Sequence, residues 1–315
     1  MNNMKAVLLA NMGAPVSEKG MKVFLKRMFS DKAIIYAPIL VRILMSTIIS
    51  NVRYKASWRK YLQIGGSPLQ KSMDKMAEDL KQLLDKNYVV SSVYSYSEPF
   101  IEKKIAELYA IGIKDITVIS MYPQASLSTT GSVQTSMDKM QNRYNDINFS
   151  FIEDYFDNEL FIESWIGLIK NKIAEQSYQK PYLLFSSHAI PTSFIERGDL
   201  YAEKMKTSAR HISERLGLPY SLSYQSKIGP IEWTRPYSAD QLKELHNEGI
   251  SEIVIVPLSF INENLETRYD LDLELIPYGL NDLGIKNICR ITIPESDSGL
   301  IKMFYEFINE QDENN

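Results

Sequence analysis

Cysteine is almost missing from this chain. Among 315 residues there is one, Cys289, which excludes an internal disulfide framework and any four-cysteine iron–sulfur cluster carried on one chain. That fits a reducing compartment, and a cytoplasmic location is the expectation. Histidine is scarce as well, with three. Long apolar runs are lacking: the most apolar stretch, Ala33 to Val52, is broken by Pro38 and Arg42 and diluted by Ser46, Thr47 and Ser50. A membrane span wants about 20 apolar residues without a central charge, so a transmembrane helix is rejected. The apolar run before Asn11 and Gly13 is short and suits a buried strand better than an export signal. No long basic run occurs and the net charge is −4, so nothing recommends nucleic acid as a partner. Neither a Walker A loop nor a GxGxxG loop is present, which leaves nucleotide binding without support.

What the chain does have is alternation. Short β-branched runs near 5–10, 88–93, 115–120 and 149–152, then 182–187, 221–225, 252–257 and 287–292, predict strands. Helical-period segments such as 70–85, 100–111, 199–216, 239–248 and 298–310 fill the gaps. The strands are almost continuously apolar, so the expected class is α/β, with parallel sheets covered on both faces. Residues 112–123 (GIKDITVISMYP) and 249–260 (GISEIVIVPLSF) resemble each other, which points to two similar lobes. The expected division is 1–165 and 166–315, with the last helix free to pack back on the first lobe. In such sheets ligands bind beyond the carboxyl ends of the strands, so the segments that follow each strand hold the candidate chemistry.

Of the histidines, His211 and His246 fall inside amphipathic helical segments and read as surface or packing residues. His188 instead ends a buried strand, where it is either a site residue or a satisfied structural one. The segment Asn262 to Glu274, NENLETRYDLDLE, predicts a helix capped by Asn262 with Glu263 and Glu266 in its first turn. Glu266, Asp270 and Glu274, spaced i, i+4, i+8, share one face. They form either a solvated acidic surface or a row of hard oxygen ligands for a divalent cation. His188 and Glu266 follow strands at the same topological place, and two such ligands suit transient metal handling better than a permanent site. The loop YPQASLSTTGS lacks a nucleophile elbow. Its hydroxyls and N–H groups suit the anchoring of carboxylates, helped by Arg53, Tyr54 and Lys55. The apolar stretch 36–52 is either a buried core helix or an exposed lip that meets a greasy ligand or a membrane surface.

Seven segments, in order and across nearly the whole chain, resemble the ferrochelatase family. They are LLANMGAP with FLKRMFSD; Arg53 before YLQIGGSPL; LYAIG; SMYPQASLSTTGS; LLFSSHAIPTSFIERGDLY; YQSKIGPIEWTRPY; and IVPLSFINENLETRYDLD. The resemblance implies two Rossmann-like lobes of the chelatase type, each with a four-stranded parallel sheet, around a porphyrin cleft. It implies insertion of Fe2+ into protoporphyrin IX by a lyase with no permanently bound cofactor, iron being the substrate. His188 and Glu266 match the family's active-site pair. Asp270 and Glu274 match an acidic ridge proposed as a metal path, on a helix with π character. Met12 matches a position facing the macrocycle and Arg53 one that meets a propionate, while Tyr122, Ser126, Ser128 and Thr129 would lie near the substrate. Met12 and the STTGS loop look like the protoporphyrin IX enzymes; a coproporphyrin III enzyme and a non-catalytic porphyrin carrier are the alternatives. Asn264 stands where many relatives have histidine, and Cys289 is too solitary for the cluster some relatives carry. The 36–52 lip fits peripheral contact with a membrane.

Overall fold

The structure is a computed structural model that describes residues 4–313. The chain divides into two compact units, one comprising the residues up to Asp154 with the segment from Glu295 onward, the other Tyr155–Pro294. The boundary expected at residue 165 falls inside the helix Glu159–Gln176, which lies wholly in the second unit. Phe161, Ile162, Trp165, Ile166 and Ile169 bury one side of that helix, so the chain has no break to offer there.

In the first unit, β1 (Lys5–Asn11), β2 (Tyr88–Tyr94), β3 (Asp115–Ser120) and β4 (Asn148–Ile152) form a parallel sheet in the order β2-β1-β3-β4. Alternate residues of β1 serve opposite faces. Ala6, Leu8 and Ala10 pack with α4 (Ile101–Ala110) and α5 (Thr130–Arg143) through Ile101, Ile105, Val133 and Met137. Val7 and Leu9 are equally buried, which is why the strand reads as a continuous apolar run. Each such side chain contributes roughly 1.5–3 kcal/mol by leaving water. The helix α3 (Leu69–Leu83) packs on β2 and on α10 (Ser298–Glu313). The Ser72 hydroxyl donates to the Glu295 carbonyl at 2.7 Å, and Lys71 pairs with the Glu295 carboxylate. These bonds tie the end of the chain to this unit.

The helix α1 (Glu18–Ser30) starts at Ser17, whose hydroxyl accepts from the Gly20 N–H, and lies against α2 (Ile39–Gln63). The reading of 36–52 as a buried core helix is corrected here. Within 36–52 the residues that α2 buries are two serines, Ser46 and Ser50: Ser46 is 0% exposed, and Ser30 donates to it at 2.8 Å. Serines at 46 and 50 allow a close approach, so the bulky side chains have nowhere to go but outward. Leu40 is 77% exposed, and Ile39, Ile43, Leu44, Ile48 and Val52 are also exposed. No helix among the described residues is long and apolar enough to cross a membrane.

In the second unit, β5 (Tyr182–His188), β6 (Tyr220–Gln225), β7 (Glu252–Val256) and β8 (Asn287–Arg290) form a parallel sheet in the order β6-β5-β7-β8. It repeats the first sheet's order strand for strand, and the two similar sequence segments fall on its equivalent members, β3 and β7. The helices α6 (Glu159–Gln176), α7 (Thr192–Ile195), α8 (Tyr201–Leu216) and α9 (Ser238–Asn247) belong to this unit. Two π-helices, Glu266–Leu275 and Tyr278–Asp282, follow β7.

One glycine limits how β1 ends. Gly13 sits at φ = +87°, and a Cβ there would meet Ser97 Oγ at 2.0 Å and Tyr94 Cβ at 2.8 Å. Gly13→Ala should therefore lower stability by about 1–3 kcal/mol. Thermal denaturation checks this, and an unchanged melting temperature would contradict it.

Candidate functional site

A parallel sheet of this order has a switch point. From the inner strand β1 the chain first crosses to one side, making β2, and then to the other, making β3, so the loops leaving β1 and β3 diverge and open a notch at the carboxyl end. In the first unit Met12 leaves β1, while Tyr122, Ser126, Ser128 and Thr129 follow β3. The Met121 N–H donates to the Ala10 carbonyl at 2.9 Å, which carries the β1–β3 pairing up to that point. Met12 is half-buried, its N–H donating to Asn11 Oδ1 at 2.7 Å. Ser126 is buried; its hydroxyl shares a 3.0 Å bond with Ser128 Oγ, and its carbonyl accepts from the N–H groups of Thr129 and Gly131. The loop thus folds back on the N-terminus of α5, its Ser128, Thr129, Gly131 and Ser132 N–H groups bonded within it, so the hydroxyls and the helix dipole are what it offers an anion. Arg53 is exposed on α2.

The second unit repeats the arrangement with different chemistry. His188 is the last residue of β5, and the row that begins with Glu266 follows β7, the strand paired with β5 across the switch point. The His188 N–H donates to Ser259 Oγ at 3.2 Å, which fastens the histidine to the loop leaving β7. Its ring Nδ1 lies 2.6 Å from the Ala189 carbonyl. A carbonyl only accepts, so Nδ1 carries the proton and Nε2 keeps its lone pair for a proton or a metal. The Tyr201 hydroxyl donates to the His188 carbonyl at 3.1 Å, and burial above all pushes that phenol's pKa up, keeping it a neutral donor. Behind His188, the buried hydroxyls of Ser186, Ser223 and Ser238 bond to one another and to Gln225 Oε1. Polar residues inside β5 are thereby satisfied.

The segment after β7 differs from its expected form in two respects. Asn262 is not the residue whose side chain closes the first turn. Asn264 is: its Oδ1 accepts from the Thr267 N–H at 3.0 Å, and its own N–H donates to Thr267 Oγ1 at 3.0 Å. Glu263 does not join the acidic face either, but turns inward and is buried against Arg290, the last residue of β8. Burial pushes its pKa up, yet the Arg290 guanidinium, the Thr267 hydroxyl and the Ile293 N–H together hold the carboxyl below its ordinary value. Arg290 also takes Asp272 of the π-helix at 2.7 and 2.8 Å. Glu266 and Asp270 are half-buried and Glu274 is exposed, with Asp270 accepting from the Ser226 hydroxyl. Among the described residues no three His, Cys, Asp or Glu side chains converge as a metal-holding group. The row is a succession of single carboxylates, suited to passing a cation along.

Each sheet thus carries its candidate residues at its own switch point: Met12 and the Tyr122–Thr129 loop on one, His188 and the Glu266 row on the other. Arg290, Asp272, Ser226 and Tyr201 were not anticipated. An arginine closing an apolar strand was a signal for the first; nothing in the sequence marked the others.

The family model described as Ferrochelatase matches residues 4–312. A ferrochelatase of Gloeothece citriformis is 36% identical over 282 residues, covering 85% of this chain and 72% of that protein. One from Sulfurihydrogenibium sp. is 32% identical over 328 aligned positions, covering 96% of this chain and 97% of its own. Among solved structures, SirB from Bacillus subtilis with Fe3+ superposes with a TM-score of 0.61 at 12% identity, covering 98% of this chain and 95% of its own. DR2241 from Deinococcus radiodurans, a multi-domain protein described as structurally similar to chelatases, gives 0.52 at 10% identity over 96% of this chain and 54% of its own. At those identities the likeness is one of fold.

The Glu263–Arg290 pair makes a prediction about acid. Its carboxyl has a lower pKa folded than unfolded, so the stabilisation is full above the ordinary value of 4.5 and is lost as pH falls through the folded value. Urea midpoints should therefore drop below that pH, and Glu263→Gln should flatten this limb. Arg290→Met, which leaves the buried Glu263 with only the exposed Arg268 as its cation, should cost up to about 3–5 kcal/mol at neutral pH. A wild-type acid limb unchanged by Glu263→Gln would contradict the assignment.

Proposed function

The chain belongs to the ferrochelatase family, a lyase family that inserts iron into a porphyrin, and we propose that this protein inserts Fe2+ into protoporphyrin IX, with His188 and Glu266 at the reacting centre. One observation carries the residue assignment. His188 ends β5 with Nδ1–H committed to the Ala189 carbonyl, beside the strand whose loop leads to the carboxylate row.

The chemistry asks for these groups. A flat free-base porphyrin resists metalation because two pyrrole N–H protons occupy its centre; the reaction takes in Fe2+ and releases both protons. Bending the ring exposes the nitrogens, and binding energy from the apolar ring and its carboxylates supplies that strain. In this reading His188 Nε2 accepts a pyrrole proton, and Glu266 hands in iron and takes up the second proton. Asp270 and Glu274 bring the cation from the exposed end of the row. Weak single carboxylates suit delivery, since a tight site would hold the metal back. Met12 faces the macrocycle, and Arg53 with the Tyr122, Ser126, Ser128 and Thr129 loop receives the propionates. Iron is the substrate, and the reading includes no resident cofactor and no iron–sulfur cluster.

We also propose that α2 seats the protein on the cytoplasmic face of a membrane, where an apolar porphyrin is at hand. Its exposed leucines and isoleucines form an apolar face, and no acidic residue occurs between Asp31 and Asp74 while Lys32, Arg42, Arg53, Lys55, Arg59, Lys60 and Lys71 do. Apolar area with flanking positive charge suits an anionic lipid surface.

His188→Ala should abolish haem formation in anaerobic assays while leaving protoporphyrin IX binding within about twofold, because the residue acts on the transition state and not on uniform binding. Normal turnover in that variant would remove His188 from the reaction. Wild-type protein should turn over protoporphyrin IX in preference to coproporphyrin III; the reverse order would assign the other substrate. Co-sedimentation with anionic vesicles should fall at least about tenfold in Leu40→Glu/Leu44→Glu, since each buried leucine contributes roughly 1.5 kcal/mol or more. Equal binding by both proteins would rule out α2 as the contact.

A further inference from the structure

Arg290 has a geometry that a simple core ion pair does not need. A guanidinium carries five N–H donors in a rigid plane. Here all five are engaged. Nη1 reaches Glu263 Oε1 at 2.8 Å and the Ile291 carbonyl at 2.7 Å, and Nη2 reaches Glu263 Oε2 at 3.2 Å and Asp272 Oδ2 at 2.8 Å. Nε completes the second fork, 2.7 Å from Asp272 Oδ1. The Arg290 side chain is 3% exposed, whereas that of Asp272 is 31% exposed. The buried Glu263 is neutralised by the first fork together with Arg268, whose Nε lies 2.9 Å from Glu263 Oε2; the second fork goes out of its way to a half-exposed residue of the π-helix.

The two carboxylates so held lie one before and one within the row assigned above to iron. Glu263 precedes Glu266 by three residues, and Asp272 sits between Asp270 and Glu274. A π-turn is rare and less favourable than an α-turn, and it persists where the surroundings impose it. A separate bond reaches Asp270 from Ser226, which holds a left-handed φ of +65°. Side chains that fix the residues around a metal's ligands set how those ligands point, and losing one typically costs about 10–100-fold in metal affinity or activity.

We propose that Arg290 is the positioning residue of the iron path: by clasping Glu263 and Asp272 together it sets the direction in which Glu266, Asp270 and Glu274 present their carboxylates. The proposal rests on the reading of those three groups as the ones that handle iron. Arg290 touches neither porphyrin nor metal in this role.

Two variants cut the second clasp while leaving the buried charge in place. Asp272→Ala removes the half-exposed carboxylate, and Arg290→Lys keeps a cation for Glu263 but has no second fork. In each, KM for Fe2+ should rise about 10–100-fold while KM for protoporphyrin IX stays within about twofold. The double variant should be no worse than the poorer single one, because both changes break one interaction. Calorimetric titration of the porphyrin-free protein with Co2+ alone should show the same loss of affinity. If the melting temperature falls while Fe2+ KM and Co2+ affinity hold, Arg290 is a core residue only and the proposal fails. If wild-type protein makes no haem yet Co2+ affinity falls in the variants, the enzymatic reading fails and the positioning role stands.

Discussion

Everything in this structure that bears on chemistry depends on one constraint: an inner strand of a parallel sheet must send its chain out on one side and receive the next strand on the other. That places a notch at the carboxyl end beside β1 in the first sheet and beside β5 in the second. The strands are held by apolar burial on both faces, so they vary little in what they can do. The loops that leave them are released from that duty, and the two sheets spend the freedom differently. One builds hydroxyls against a helix N-terminus, where the dipole favours carboxylates; the other builds an imidazole and a carboxylate row, of the kind that takes protons or a cation.

Within the second unit His188 is hydrogen-bonded on several sides, whereas the carboxylates that follow β7 stand singly along their helix. His188 is fixed at three atoms, through its N–H, its carbonyl and Nδ1, which leaves one nitrogen with a defined direction. The carboxylate row stands on a π-helix whose start is closed by Asn264 and Thr267 and whose side is clasped by Arg290. The carboxylates themselves do not gather into a cage. In the proposed reading, weak single ligands on a clasped support suit delivery of a cation into a macrocycle.

The sequence made the eight strands legible because burial on both faces leaves near-continuous apolar runs with little else to compete. His188 was legible for the same reason: a polar residue at the end of such a run needs an explanation. The π-helix left no mark in the periodicity, since residues at i, i+4 and i+8 share a face in either geometry; only the family resemblance implied it. The Glu263–Arg290 clasp joins residues 27 apart that no local pattern connects. The helix α2 shows the opposite limit. Its apolar crowding suggested either core or lip, and what decided between them was Ser46 and Ser50 packing inward against α1. Asn262 and Asn264 are equally good caps in composition, and the reciprocal partner, Thr267, selects the second.

The central claim is that a porphyrin held by this protein receives iron on it. The most direct test is a single anaerobic mixing of the protoporphyrin-loaded protein with Fe2+, with free-base emission and haem absorption followed together. The account predicts that emission disappears and haem appears with one rate constant, far above that of the porphyrin and iron without protein. Emission that persists while the porphyrin stays bound would contradict it, and would make the protein a carrier.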